Sequence, residues 1–113
     1  MNPSNGEIWL VNLNPEKRDN EMGKIRPAVI FQNDMLNHGD YPTTIIIPLS
    51  TDLIDDAKPI RMRVSKREMH KKDSDIVLTQ IRSIDNGRLV QKIAELDEKE
   101  KRILKKLFYE IIT

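Results

Sequence analysis

The sequence predicts one domain of mainly β structure that ends in a single α-helix. Short runs of branched and aromatic residues alternate with proline, glycine and asparagine along most of the chain, a pattern typical of strands and turns. Beyond residue 96 the apolar residues change to helical spacing. A chain of 113 residues is long enough to bury one core without staples. We therefore expect residues 1–113 to form one domain.

Turn-forming residues bound each expected strand, and a helical turn is expected within 34–42. The unbroken isoleucines of the third strand indicate burial on both faces. Pro48 is expected to end that strand, because proline cannot donate to a ladder. In the fifth strand, alternation would place Ile76, Leu78 and Gln80 on one face. The expected strands are 6–13, 27–32, 43–47, 60–64, 75–81 and 89–94.

The C-terminal segment is predicted to be an amphipathic helix. Asp97 followed by Glu100 has the form of a capping pair. Apolar residues then recur at a spacing that places them on one stripe. We expect this stripe to pack on the sheet, and the sequence leaves a dimer-forming helix open. The stripe comprises Ile103, Leu104, Leu107, Phe108, Ile111 and Ile112.

Composition excludes several functional classes. The chain has no cysteine, which rules out a disulfide scaffold and cysteine-ligated zinc. His38 and His70 lack metal-ligand spacing, so we expect neither a metal nor another cofactor. No apolar run approaches the roughly 20 residues that a membrane span needs. Because the N-terminus also lacks the features of a signal peptide, we expect a cytoplasmic protein.

Charge is less informative. The net charge of +1 does not identify a nucleic-acid-binding protein. The segment 58–72 is locally basic, and such a segment can contact phosphates. Arg61 and Arg63 alternate within it, however, which also fits an ordinary solvated strand face. We favour the second interpretation for most of these positions.

Arg26 is the residue most informative about function. Pro27 disfavours the helical region at the residue before it, so Arg26 is expected to begin the second strand in an extended backbone. Arginine stays charged and presents a planar fork of donors that suits phosphate or carboxylate. One rim of a small barrel could bring other polar residues beside it, although each could instead cap a turn or lie on the surface. These residues are Glu21, in the long polar loop 16–25, and Ser50, Thr51, Gln80 and Arg82 at strand ends.

Segments along nearly the whole chain resemble the MazF/PemK toxins of bacterial toxin-antitoxin systems, and they occur in the family's order. They are Gly6-Glu7-Ile8-Trp9, Glu21 five residues before Arg26-Pro27-Ala28-Val29-Ile30, Gln32-Asn33-Asp34, Pro48-Leu49-Ser50-Thr51, and Leu78-Thr79-Gln80-Ile81-Arg82-Ser83-Ile84-Asp85.

This resemblance implies a fold, an activity and partners. The implied fold is a small, strongly curved antiparallel sheet of SH3-like barrel type with a C-terminal helix, working as a homodimer. The implied activity is metal-independent, sequence-specific cleavage of single-stranded RNA, with mRNA as the expected target. The products would carry a 2′,3′-cyclic phosphate and a 5′-hydroxyl, and a cognate antitoxin would inhibit the reaction. The alternatives are a non-catalytic SH3-like binding module and a gyrase-poisoning toxin of related architecture.

The resemblance also implies which residues are catalytic. Arg26 matches the family's catalytic arginine and would stabilise the charge of the phosphorane. Ser50 falls where close relatives carry a catalytic threonine, and Thr51 beside it is the alternative. Either hydroxyl would orient the 2′-hydroxyl or a phosphate oxygen. Glu21 matches an acidic residue of the first loop and would pair with Arg26 or hold a base.

The remaining candidates would bind RNA. Gln80 lies in the segment that lines the family's RNA groove and could read a base edge by paired hydrogen bonds. Lys17, Arg18 and Arg82 are expected to contact phosphates. Some family members carry an Arg-x-Asp pair just before the glutamine, where this chain has Val77-Leu78-Thr79. That version of the chemistry is therefore not available here.

Overall fold

In a computed structural model, residues 2–13 and 25–113 are described, and they form one seven-stranded antiparallel sheet and two α-helices. The elements are β1 Glu7–Asn12, β2 Ile25–Ile30, α1 Asp34–Asn37, β3 Thr43–Ser50, β4 Arg61–Val64, β5 Ser74–Val77, β6 Arg82–Asp85, β7 Leu89–Glu95 and α2 Glu98–Ile112. Short 3₁₀ turns at Leu78–Gln80 and Asn86–Arg88 precede β6 and β7. The prediction of a mainly β fold with a C-terminal helix is confirmed.

β3 is the strand on which the sheet is built. The strand order is β4-β5-β3-β2-β1-β7, with β6 also paired to β3. On one edge β3 pairs with β2. On the other edge its first half pairs with β6, up to Ile46 opposite Arg82, and its last two residues pair with β5, from Leu49 opposite Ile76. β3 therefore exchanges one partner for another along the same edge.

The prediction that Pro48 ends the third strand is wrong, because β3 continues to Ser50. The Phe31 N–H donates to the Ile45 carbonyl at 3.0 Å, and antiparallel hydrogen bonding alternates along the ladder. Pro48, opposite Ala28, thus has its nitrogen on the side away from β2. On that side pairing with β6 has ended and pairing with β5 has not begun. A residue without an N–H fits this gap.

The predicted strand 75–81 is also wrong in its second half. β5 ends at Val77, and the chain turns through Leu78–Gln80 before β6 begins at Arg82. Leu78 is fully buried, whereas Gln80 is exposed, so the two do not share a strand face. The turn lets β5 and β6 pair with different halves of β3. Hydrophobic alternation along the sequence cannot reveal such a turn, because the position of the turn depends on which strand lies alongside.

The sheet is buried on both faces at β3, as expected, but not for every isoleucine. Ile47 belongs to a core cluster beneath α2, and Ile46 belongs to a second cluster on the opposite face. Ile45 is 36% exposed, contrary to the expectation for the whole run. The second cluster consists of Trp9, Val11, Ala28, Ile30, Ile46 and Ile84.

The terminal helix packs on the sheet and begins at the predicted cap. Asp97 accepts from the Glu100 N–H at 2.7 Å, and the Glu100 side chain accepts from the Asp97 N–H at 2.9 Å. Leu104 is buried in the main cluster with Leu107. Ile112, in the last turn, is 61% exposed, so the predicted stripe leaves the sheet there. Within the described residues, neither helix has the length and apolar character of a membrane span.

Part of the family-like sequence serves the fold rather than chemistry. The buried Gln32 side chain donates to Asn37 at 3.1 Å and to the Thr43 carbonyl at 3.0 Å. It also accepts from the Ile45 N–H at 3.2 Å. Asn33 caps α1 by accepting from the Met35 N–H. Gln32-Asn33-Asp34 therefore fixes the connection between β2 and β3.

Leu104→Ala should lower the free energy of unfolding by about 2–5 kcal/mol, because it leaves a cavity between α2 and the sheet. Urea denaturation followed by circular dichroism measures this change. Lys105→Ala, at the exposed neighbouring position, is the control and should change stability little. Equal, small losses for both variants would contradict the packing of α2 described above.

Candidate active site

A polar pocket lies where β2, β3 and the turn before β6 meet. Its volume is about 380 Å³. It brings together three residues that the sequence predicted, Arg26, Ser50 and Gln80, with Arg61, which it did not. We call it the Arg26 pocket, lined by Leu13, Arg26, Pro48, Leu49, Ser50, Arg61, Val77 and Gln80.

Strand register brings Arg26 and Ser50 together. Arg26 is opposite Val11 of β1, and the last pair between β2 and β3 is Ala28 opposite Pro48. Extending that register by two residues places Arg26 across from Ser50. Because side chains alternate along a strand, both lie on the face of the sheet that carries the second core cluster. The Arg26 pocket and the second core cluster therefore lie on the same face of β2 and β3.

Arg26 differs from Arg63 and Arg67 because it has no partner among residues 2–13 and 25–113. Among the described residues, its exposed side chain takes part in no hydrogen bond or ion pair. Arg63 is paired with Asp75, and Arg67 donates to both carboxylate oxygens of Glu100 at 2.5 and 2.8 Å. A guanidinium without a carboxylate, at the edge of a pocket, is suited to bind an anionic group.

Ser50 presents its hydroxyl as a hydrogen-bond donor. The Asp52 N–H donates to Ser50 Oγ at 3.1 Å, which occupies an acceptor position and leaves the hydroxyl proton for another partner. Thr51 is exposed in the bend that follows β3 and does not line the Arg26 pocket. The geometry therefore separates the two hydroxyls that the sequence left as alternatives.

Gln80 reaches the pocket because of the turn that sequence analysis missed. Leu78, fully buried in the main cluster, anchors the start of this turn, and its N–H donates to the Ile60 carbonyl at 2.9 Å. Gln80, at the end of the turn, is exposed. Its amide can both donate and accept, which suits it to bind a base edge.

The buried carboxylate of Asp75 bonds residues next to the Arg26 pocket. Asp75 is 1% exposed and lies opposite Ser50 in the pairing of β3 with β5. It accepts from Arg63 Nε at 2.6 Å, from the Ile54 N–H at 2.9 Å and from Arg61 Nη1 at 3.2 Å. Arg61 Nη1 also donates to the Asp52 carbonyl at 2.9 Å. Asp75 thereby holds the start of the loop that follows Ser50.

Burial raises the pKa of Asp75, but hydrogen bonds from Arg63, the Ile54 N–H and Arg61 lower it by more. The pKa of this carboxyl therefore lies below its ordinary value of 3.8. Charge-assisted hydrogen bonds favour the ionised form of a carboxyl group in this way. Asp75 is thus an anion near neutral pH, and its charge offsets those of the arginines bound to it.

Sequence analysis did not identify Arg61 or Asp75 as part of a site. A solvated strand face was the favoured interpretation for Arg61 and Arg63. Arg63 is exposed, as this interpretation predicts, whereas Arg61 is only partly exposed, and both also pair with the buried Asp75. The sequence feature that could have revealed these ion pairs is the pair of alternating arginines on β4 together with the single Asp of β5. It was not readable without the register that aligns Arg63 with Asp75.

The other predicted site residues are placed less centrally or not at all. Arg82 Nη1 donates to the carbonyl of Leu13, a pocket residue, at 3.5 Å. Lys17, Arg18 and Glu21 lie outside the described residues. Neither histidine of the chain lines the Arg26 pocket. Within residues 2–13 and 25–113, no group of acidic or imidazole side chains is arranged to hold a metal.

A larger cavity of about 570 Å³ adjoins the loop 54–58 and shares Arg61 with the Arg26 pocket. Asp55, Asp56 and Asp75 balance the cations of its lining, which is completed by Ile54, Ala57, Lys58, Arg61 and Arg63. Its charges are largely paired, whereas Arg26 has no partner among the described residues. The smaller Arg26 pocket is therefore the better candidate for an anionic ligand.

The chain is thus a small, mainly β protein whose pocket at the strand ends carries a cation without a partner among the described residues. The chain belongs to the family of PemK-like, MazF-like toxins of type II toxin-antitoxin systems, whose family model matches residues 4–112. It is 40% identical over 95 residues to Endoribonuclease MazF of Staphylococcus epidermidis, covering 82% of this chain and 77% of that protein. The resemblance inferred from sequence is confirmed.

Solved structures show the same fold. The structure is similar to the MazE-MazF crystal structure (Form-II) from Deinococcus radiodurans, with a TM-score of 0.77 and 17% identity, over 99% of this chain and 96% of that one. It is also similar to a mycobacterial endoribonuclease in complex with its cognate antitoxin, with a TM-score of 0.74 and 12% identity, over 97% and 94% of the two chains. At these identities the similarity supports the fold.

Asp75→Asn should reduce the dependence of stability on acid. Because the pKa of Asp75 is lower in the folded chain than in the unfolded chain, its contribution is present above about pH 4 and is lost as the pH falls further. Urea denaturation at about pH 6 and about pH 3 should show a smaller loss for Asp75→Asn than for the wild type. Asp56→Asn, at an exposed position of the loop 54–58, serves as control. An unchanged acid dependence in Asp75→Asn would contradict the ion pairs.

Proposed function

We propose that this protein is a metal-independent endoribonuclease that cleaves single-stranded RNA at the Arg26 pocket. The observation that carries the proposal is the meeting of Arg26, Ser50 and Gln80 in one cavity. Membership of the toxin family and the 40% identity to an endoribonuclease support the activity. Sequence-specific cleavage, with mRNA as the target, is part of the proposal.

The reaction is a transesterification in which the RNA supplies its own nucleophile. The substrate's 2′-hydroxyl passes its proton to water or to a general base, its oxygen attacks the adjacent phosphorus, and the bond from phosphorus to the 5′-oxygen breaks. The leaving oxygen takes up a proton, so the products carry a 2′,3′-cyclic phosphate and a 5′-hydroxyl. Negative charge grows on the non-bridging oxygens between these steps. Arg26 lines the pocket in which that charge would develop. A preorganised donor of this kind lowers the activation free energy by about 3–4 kcal/mol.

Ser50 positions the reacting phosphate rather than removing a proton. A serine hydroxyl is a poor base at neutral pH, and the Asp52 N–H already donates to its oxygen. Its proton is available to a phosphate oxygen or to the 2′-oxygen. Arg26 also donates a proton to the leaving oxygen or aligns a water that does so.

Further residues are assigned to recognition of the RNA chain. Gln80 hydrogen-bonds a base edge, which single-stranded RNA leaves unpaired. Arg82 at the pocket margin binds phosphate, as do Lys17 and Arg18. Glu21 pairs with Arg26 or holds the general base; the assignments of Lys17, Arg18 and Glu21 rest on family resemblance.

The proposal includes the assembly and its control. The chain acts in the cytoplasm as a homodimer of a single domain, residues 1–113, and a cognate antitoxin neutralises it. Support comes from family membership and from the structurally similar mycobacterial endoribonuclease, which was solved with its cognate antitoxin. No cofactor takes part in the reaction.

Purified protein should cut a long mixed-sequence RNA into discrete fragments in the presence of EDTA. Arg26→Ala should slow this cleavage by about 100-fold or more, because the growing negative charge loses its donor, while RNA binding is retained. Gel analysis and mass spectrometry of the fragment ends measure rate and chemistry. Arg102→Ala, on the exposed side of α2, is the charge-matched control.

Two outcomes of this experiment would contradict the proposal. Intact RNA across many sequences would exclude the nuclease and favour a binding module or a gyrase poison. Cleavage by Arg26→Ala at the wild-type rate would remove Arg26 from the mechanism while leaving the activity in place.

Ser50→Ala should slow cleavage by about tenfold, the effect of one lost hydrogen bond, whereas Thr51→Ala should cleave at nearly the wild-type rate. The reason is that Ser50 lines the pocket and Thr51 does not. Single-turnover rates on the same RNA give the comparison. The assignment is wrong if Thr51→Ala is the slower of the two variants.

A further inference from the structure

We propose that Arg61 is a second RNA-phosphate contact in the Arg26 pocket and that buried Asp75 is the residue that positions it. This inference rests on the proposed function. It adds a substrate contact to those that the family resemblance implies, and it assigns the buried Asp75 carboxylate of β5 a role in the site. The ligand class is the phosphodiester backbone of single-stranded RNA.

The Arg61 side chain is fixed by two hydrogen bonds and keeps other N–H groups available for a ligand. Its side chain is 18% exposed, and it lines the same pocket as Arg26, Ser50 and Gln80. Both of its bonds to the described residues, to Asp75 and to the Asp52 carbonyl, are donated by Nη1. A guanidinium has five N–H donors, so Nε and Nη2 keep donors for a ligand.

Asp75 can fix the position of Arg61 because the Asp75 side chain is itself fixed by burial and hydrogen bonds. The carboxylate is 1% exposed and is bonded from three directions, by Arg61, Arg63 and the Ile54 N–H. An arginine held by a buried anion loses less side-chain entropy when it binds a ligand than a free one would. The Arg61 side chain is therefore preorganised to bind the RNA backbone.

Arg63 provides a natural comparison within the same strand. Like Arg61, it donates one bond to Asp75 and one to the loop after β3, in its case to Asp55 at 2.8 Å. It lines the neighbouring larger cavity but not the Arg26 pocket. The two arginines thus share Asp75 as a partner and differ in their access to the Arg26 pocket.

The salt dependence of RNA binding separates a phosphate contact from a structural role. Each phosphate that a protein neutralises on single-stranded RNA adds about 0.7 to the slope of log affinity against log salt. A 2′-O-methyl RNA of mixed sequence is the probe, because it keeps every phosphate but lacks the attacking hydroxyl. Affinities at several salt concentrations are measured for the wild type, Arg61→Ala, Arg61→Lys and Arg63→Ala.

Arg61→Ala should reduce the slope by about 0.7, and Arg61→Lys should restore it because lysine keeps the charge. Arg63→Ala should keep the wild-type slope. Loss of the Asp52 contact in Arg61→Ala could disturb Ser50, but Ser50 is uncharged, so that disturbance leaves the slope unchanged. Equal slopes for Arg61→Ala and Arg63→Ala would overturn the proposal.

Cleavage of unmodified RNA gives a second readout. Arg61→Ala should cleave about 10- to 100-fold more slowly at low enzyme concentration, the range expected for a lost charge-assisted hydrogen bond. Arg63→Ala should lose clearly less. Asp75→Asn should keep the binding slope, since Arg61 retains its charge, but should lower the maximal rate. A wild-type maximal rate in folded Asp75→Asn would overturn the positioning role.

The design also separates this inference from the proposed function. If the wild type cleaves RNA but the two arginine variants behave alike, only the inference about Arg61 fails. If the wild type does not cleave, the nuclease proposal fails, and the binding slopes on 2′-O-methyl RNA still decide whether Arg61 contacts phosphate.

Discussion

The change of partner along one edge of β3 is the constraint on which the rest of the structure depends. β6 pairs with the first half of this edge and β5 with its end, and the gap between them lies at Pro48, which has no N–H to leave unpaired. The connection from β5 to β6 must therefore turn beside the gap. That turn carries Gln80, and the end of β3 carries Ser50. The Arg26 pocket exists because the ladder is interrupted there.

A buried anion stabilises the strand ends that this interruption exposes. Asp75 faces Ser50 in the ladder and binds two arginines of β4 and the N–H of Ile54. Removing a carboxylate from water is costly, and only several good hydrogen bonds compensate for it. Here those bonds also determine the position of Arg61 and of the loop after Ser50. Of the two arginines that line the Arg26 pocket, Arg26 is the one that makes no hydrogen bond or ion pair with the described residues, and this leaves its charge available to a ligand.

Local signals were sufficient for much of the fold. The cap at Asp97, the helical stripe around Leu104 and the branched runs of β1 and β7 depend on neighbours in sequence, and each was predicted. Pro48 and the turn at Leu78–Gln80 were misjudged because their conformations depend on which strand lies alongside. For the same reason Asp75 was overlooked, since its partners on β4 become evident only from the register. Arg26 was found because Pro27 restricts its backbone locally. Ser50 and Gln80 were candidates because polar residues at strand ends could meet at one rim of the sheet, and the family resemblance gave them their roles.

The proposed function requires the scissile phosphate of RNA to lie between Arg26 and Ser50. A crystal structure with an RNA fragment that carries a single 2′-deoxy substitution at the cleaved nucleotide would locate this phosphate. We expect it within hydrogen-bond distance of the Arg26 guanidinium and of Ser50 Oγ, with a base next to Gln80. An RNA chain that passes over another surface, such as the face of α2, and leaves the Arg26 pocket empty would contradict it.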